Sequence, residues 1–212
     1  MYEILFRALG PQHWWPGEGA AEISIGAVLT QNTAWSNVER AIVNLRKEGA
    51  LGMEALARMP LRRLERLVRP SGYFRQKTRR LKGFAAHALR RGGLAAWYRR
   101  PAAALREELL SLHGIGPETA DSILLYAASK KSFVVDAYTR RVLLRHGFSH
   151  GRLPYGALKA FLEESLPRSL RLYNEFHALF VNAGKRWCRR RNPLCASCPL
   201  RDFRPVHPGL LP

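Results

Sequence analysis

The chain has 212 residues, 47% of them hydrophobic, enough for the core of one large domain or two small ones. Its 35 Lys and Arg against 16 Asp and Glu give a formal net charge of +19. That excess points to a polyanionic partner, nucleic acid first, with ribosome association or solvated helix faces as plainer alternatives. No apolar run approaches the roughly 20 residues of a membrane span, and "MYEILFRALGPQHWW" lacks the pattern of a signal peptide. A cytoplasmic, reducing setting, nucleoid-associated in a bacterium or archaeon, is the expectation.

In chain order the pattern is helix after helix. "AAEISIGAVLTQ" and "WSNVERAIVNLRKEG" are amphipathic at helical spacing and are separated by the polar "QNT". "MEALARMPLRRLERLVRP", "KTRRLKGFAAHALRRGG" and "AALREELLSLHG" continue the pattern, each closed by Gly or Pro. "AYTRRVLLRHG", "YGALKAFLEESLP" and "LYNEFHALFVNAGKRW" follow. The only β-rich run, "SFVVD", is too isolated to build a sheet. The fold class is therefore all-α, without repeats or low-complexity tracts.

Residues 112–141, "LHGIGPETADSILLYAASKKSFVVDAYTRR", carry the chemistry. Gly114 and Gly116 flank Ile115 in a tight turn between two helices, where positive-φ conformations are needed. Pro117 suits the first turn of the following helix, and Ala120, Ile123, Leu124 and Ala127 form its apolar stripe. Such a turn presents backbone N–H groups at a helix N-terminus, a site for a phosphate. A Gly-x-Gly alone is equally a plain corner between helices. Asp136 is both a natural N-cap for the helix that follows and a candidate catalytic carboxylate.

The string Leu-x-Gly-Ile-Gly-x-x-Thr-Ala, with "VVDAYTRRVL" after it, resembles the helix-hairpin-helix DNA glycosylases of the endonuclease III superfamily over nearly the whole chain. That resemblance implies a two-lobed fold. A helical barrel would span about 21–130, and residues 1–20 with 131–212 would form a second lobe carrying Asp136 and a C-terminal cysteine loop. It further implies duplex DNA with a damaged base as partner, held across the cleft between lobes, and a monomer. Asp136 would stabilise the positive charge that builds on deoxyribose as the N-glycosidic bond breaks, and would orient the attacking water. Bifunctional members carry a lysine two residues after the second hairpin glycine, which attacks the sugar and forms an imine. Here that position is Glu118, which implies a monofunctional enzyme that leaves an abasic site.

Among monofunctional members the resemblance is to the 3-methyladenine DNA glycosylase III group, through "HWWP", "VLTQNTAW" and the glutamate of "GIGPETAD". An alkylated, cationic purine stacks favourably on electron-rich rings. Trp14, Trp15 and Trp35, with Glu118, are thus candidate pocket walls, or simply packing residues. Gln31 stands where the family has a glutamine that enters the stack vacated by the flipped base, and Tyr73 lies in the loop that offers a wedge. Arg75, Lys77, Arg79 and Arg80 would contact phosphates, or form an ordinary basic helix face.

Cys188, Cys195 and Cys198 follow a C-x6-C-x2-C spacing that in endonuclease III continues with x5-C and binds a [4Fe–4S] cluster. Arg204 occupies the fourth position. A cluster with a non-cysteine ligand, Asp202 or His207, is the favoured expectation. Zinc held by the cysteines and His207, or three unliganded thiols, are the alternatives. The rivals to alkylpurine excision are removal of oxidised or mismatched bases, a catalytically silent DNA-structure-binding protein, and an RNA-binding use of the hairpin.

Overall fold

Proline and glycine set many of the helix boundaries, as the pattern requires. The computed structural model describes residues 1–148 and 153–203. It contains α1 (Tyr2–Leu9), α2 (Gly19–Leu29), α3 (Trp35–Lys47), α4 (Met53–Arg58), α5 (Leu61–Val68) and α6 (Phe74–Arg90). After these come α7 (Leu94–Tyr98), α8 (Ala102–Ser111), α9 (Pro117–Ser122), α10 (Ala137–Arg145), α11 (Tyr155–Ser165) and α12 (Leu170–Arg186). Among the described residues there is no strand, and no helix is long and apolar enough to cross a membrane.

The run "MEALARMPLRRLERLVRP" forms two helices rather than one. Pro60 lacks an N–H and disfavours helical geometry at Met59, so α4 ends there and α5 begins on Pro60 as its N-cap. "SFVVD" forms no strand, and side chains take two of its backbone donors: Phe133 N–H donates to Glu163 Oε1 at 2.8 Å and Val135 N–H to the Tyr155 hydroxyl at 3.4 Å.

The chain divides into two units, one made of Trp15–Lys130 and the other of Met1–Trp14 with the residues from Lys131 onward. The central unit therefore begins at Trp15, six residues before the boundary expected at 21. Its core is built on α2, which is not the amphipathic helix its spacing suggested: Ile25, Val28 and Leu29 are fully buried, and Glu22 and Ser24 are buried with them. Phe84, Trp97, Leu105 and Ile123 complete that core. The terminal unit is held by aromatic contacts, with Phe176 and Phe180 stacked at 4.3 Å and Phe133 edge-on to Tyr173 at 5.4 Å. Helix α12 has Gly184 where it meets α10, because a Cβ there would lie 2.9 Å from Tyr138 Cβ.

Candidate functional site

The hairpin forms as its residues require, but its two glycines serve different ends. Gly114 has φ of 79°, the left-handed region, and an added Cβ would press to 2.7 Å from Arg80 Cδ. Gly116 is extended, a conformation any residue adopts, and a Cβ on it would meet nothing within 4 Å. Its missing side chain leaves the backbone open to close approach. Neither glycine's N–H donates to an acceptor among the described residues. Ile115 corrects the expected DNA-facing set. Its N–H donates to the Leu112 carbonyl at 3.0 Å and its side chain is buried, so it shapes the turn from inside. A bidentate bond from Arg106 on α8 to the buried Asp121 on α9, at 2.9 and 3.1 Å, clamps the two helices flanking the turn. Nothing in the helical periodicity marked that pair.

Gln31 lies beside the hairpin. Its Nε2 donates to the Gly114 carbonyl at 3.0 Å and to Thr119 Oγ1 at 2.9 Å, and its Oε1 accepts from Arg80 Nη1. Arg80 is thus engaged with Gln31 rather than standing clear as a surface cation. Tyr73 is 66% exposed at φ 45° and ψ 32°, a left-handed conformation uncommon for an aromatic residue. Lys77 is the second correction: it is buried, with Nζ donating to the carbonyls of Leu29 at 2.9 Å and Ser71 at 2.5 Å, and cannot meet a phosphate. Arg75 and Arg79 remain exposed.

The three candidate tryptophans do not act as one set. Trp15 and Trp35 meet edge-to-face at 5.1 Å, and Trp15 also touches Tyr126 at 5.1 Å. Together with Glu22, Glu39 and Arg46 they line a cavity of about 160 Å³. The Trp35 indole donates to Glu39 Oε1 at 2.7 Å. Trp14 belongs to the terminal unit, where Lys185 Nζ sits 5.6 Å from its ring centroid. A cation already occupies that face. Glu118 is exposed in the first turn of α9.

Asp136 caps α10, its Oδ1 accepting the Thr139 N–H at 2.7 Å. The carboxylate is only 13% exposed, and His177 Nε2, from α12, lies 3.6 Å from Oδ2. Burial by itself pushes this acid's pKa up. Hydrogen bonding and charge from His177, with the Thr139 bonds, outweigh it and hold the carboxyl below the usual range. The result is a fixed anion in a sheltered position, suited to stabilising a developing cation. Nothing in the sequence distinguished His177 from a packing residue of α12.

A hairpin clamped on both sides and a capped, ionised aspartate twenty residues beyond it are matched by known proteins. The model of the HhH-GPD superfamily base excision DNA repair proteins matches residues 25–168. The chain belongs to this superfamily. It is 43% identical over 206 residues to a protein of Methanocaldococcus jannaschii whose name provisionally assigns it to the DNA repair glycosylases, covering 96% of this chain and 93% of that one. Endonuclease III of Thermotoga maritima is 31% identical over 180 residues, 85% and 80% of the two chains. Among solved structures, the H. pylori 3-methyladenine DNA glycosylase bound to 1,N6-ethenoadenine superposes with a TM-score of 0.75 at 29% identity, covering 87% of this chain and 96% of that one. An endonuclease III–DNA complex superposes at 0.82 and 22% identity, covering 96% and 91%, and shares the fold. The protein is a DNA repair glycosylase of the HhH-GPD superfamily.

An HhH-GPD protein of the endonuclease III type raises the question of an iron–sulfur cluster. The three cysteines are free thiols, with Cys188 and Cys198 buried and Cys195 exposed. Among the described residues no group of three His, Cys, Asp or Glu is set to hold a metal. Arg145 Nη1 donates to Cys188 Sγ at 3.4 Å, and the same guanidinium binds the carbonyls of Arg189 at 2.7 Å and Arg190 at 3.3 Å. Asp202 is turned to Arg201, 2.9 Å away, rather than to the thiols. Arg204 and His207 lie outside the described residues. The described donors therefore make no complete ligand set for a cluster, and the loop is held to α10 by arginines, Arg141 also reaching the Cys188 carbonyl at 2.5 Å.

Proposed function

We propose that this protein is a monofunctional glycosylase that removes alkylated purines, 3-methyladenine among them, from duplex DNA and leaves an abasic site. Two separate observations carry the reading: Asp136 is sheltered and ionised, and a carboxylate, Glu118, stands in the chain where bifunctional relatives place the attacking lysine. A carboxylate cannot form an imine with the sugar, so water is the nucleophile. As the C1′–N bond breaks, its electron pair leaves with the base, and the sugar's positive charge is met by the Asp136 anion. Water then bonds to C1′ and gives up its proton, for which Asp136 is the nearby acceptor. An alkylated purine already carries positive charge, departs as a neutral base, and needs little further activation.

The paired rings of Trp15 and Trp35, with Glu39 accepting from the Trp35 indole and Glu22 paired to Arg46, make an electron-rich wall for such a base. The kinship with the H. pylori enzyme supports the same substrate class. The hairpin N–H groups of Gly114 and Gly116 would take a backbone phosphate, while Gln31 and Tyr73 would enter the disturbed stack.

A single-turnover assay on duplexes carrying 3-methyladenine, 7-methylguanine or thymine glycol tests this, comparing the native protein with Asp136→Asn. Release of methylated purine, nicks only after alkali and loss in the variant are expected. Thymine glycol release with nicking before alkali would instead assign an endonuclease III activity. No excision from any duplex would leave a DNA-structure-binding protein.

A further inference from the structure

Lys77 is a residue that neither the phosphate contacts nor the excision chemistry uses. Its side chain is 1% exposed and its Nζ reaches two carbonyls on separate segments. One is Leu29, the last residue of α2, two positions before Gln31. The other is Ser71, two positions before Tyr73. The Lys77 backbone N–H also donates to the Tyr73 carbonyl at 3.1 Å, at the start of α6. Three residues further along the same face of α6, Arg80 holds the Gln31 side chain. One helix thus fastens both segments.

A buried ammonium is an expensive way to fill space. An aliphatic side chain of similar length would fill it without desolvating a charge. Burial and the neighbouring Arg80 pull the Lys77 pKa down from the usual 10.5 to about 8, so the charge is held against resistance. What the amine provides that a hydrocarbon does not is a rigid, directional link between two backbone points 42 residues apart in sequence, Leu29 and Ser71. Without it the Leu29 carbonyl loses its lysine bond at a helix end. The left-handed Tyr73 conformation loses the bond that pins the residue two before it.

We propose that Lys77 is a positioning residue: it fixes the Gln31 segment and the Tyr73 loop at one separation, so that both side chains enter the duplex together at a damaged base. The inference rests on the reading of Gln31 and Tyr73 as the residues that probe the stack. Insertion into a stack is intolerant of small displacements, since base pairs are rigidly spaced. Loosening the link therefore acts on the unstacked complex rather than on encounter with DNA.

The test uses the full chain and a duplex with 2-aminopurine next to a tetrahydrofuran abasic analogue. Fluorescence at saturating protein reads unstacking, and the titration midpoint reads affinity. A methylated-purine duplex reads the single-turnover rate, and circular dichroism with thermal melting reads the fold. Lys77→Met is expected to lower the saturating unstacking signal and to slow excision by about tenfold or more, with a smaller change in affinity. Gln31→Ala and Tyr73→Ala should lower the same signal, and Lys77→Arg, which keeps the donors, should recover part of it. A folded Lys77→Met that unstacks as the native protein does, while Gln31→Ala and Tyr73→Ala do not, would overturn the positioning role and leave the excision reading intact. Native unstacking in Gln31→Ala and Tyr73→Ala would remove the probing reading and the inference with it. If Lys77→Met does not fold, Lys77→Gln, which keeps N–H donors but reaches only one carbonyl, decides the matter on the same readouts.

Discussion

His177 Nε2 stands 3.6 Å from Asp136 Oδ2, joining the middle of α12 to the N-cap of α10. The contact opposes the effect of burial and keeps the carboxylate ionised. Because the folded-state pKa is depressed, the stability this group contributes is present above its unfolded value of 3.8 and is lost as pH falls through the lower folded value. His177→Ala removes the main opposing influence, so the acid limb of the single-turnover excision rate should move to higher pH. His177→Gln, which restores a donor, should move it part of the way back. A pH–rate profile of the three proteins checks this, and an unchanged acid limb would count against the role.

Glu118 is exposed in the first turn of α9, and under the proposed function it stands in place of a lyase lysine. Borohydride should trap no covalent complex between the native protein and an abasic duplex. Glu118→Lys places an amine there and should produce a trapped band on a denaturing gel. Trapping in the native protein would identify another amine as nucleophile.

The Arg106–Asp121 pair holds the hairpin's two helices, with Asp121 fully buried. Arg106→Ala leaves that charge without its bidentate partner, and should destabilise the fold by about 3 kcal/mol in urea denaturation. DNA binding should weaken more than excision from the bound complex, because the phosphate grip loosens first.

Gly114→Ala meets two obstacles, a left-handed backbone and Arg80 at 2.7 Å. A loss of about 1–3 kcal/mol is expected, together with weaker binding as Arg80 and Gln31 are displaced. Gly116→Ala has neither obstacle within the protein. It should unfold at the native denaturant midpoint yet bind DNA less tightly, separating the turn's internal geometry from its outward one.

Arg145 spans the cysteine loop through one sulfur and two carbonyls. Arg145→Met should lower the melting temperature by several degrees, in line with about 1–2 kcal/mol lost. Replacing all three cysteines by serine should change stability less than Arg145→Met if the arginine, not a metal, braces the loop. Iron analysis and visible absorbance of anaerobically purified protein provide the independent check.

Much of the fold could be read from local pattern. Apolar spacing marked the main helices, and the isolated "SFVVD" forms no strand, nor does any other stretch among the described residues. The break at Pro60 was also written in the chain, in a residue that cannot continue a helix, yet the surrounding periodicity masked it. Within the site, the hairpin turn and the Asp136 cap were legible because each depends on residues only a few positions apart. Lys77 misled, since a lysine on a basic helix ordinarily faces water. Only the carbonyls of Leu29 and Ser71, 48 and 6 residues away, turned it inward.

The sequence by itself determined that the chain is helical, that a left-handed turn precedes α9, and that Asp136 caps α10. These follow from backbone φ, capping and side-chain chemistry, which act over a few residues. Tertiary structure alone decided that His177 holds Asp136 ionised, that Arg80 and Gln31 meet the hairpin, that Ile115 and Lys77 are buried, and that Arg145 reaches the cysteine loop. Each of those depends on which distant groups share a desolvated space, and desolvation is a property of the folded packing, not of any local stretch of chain.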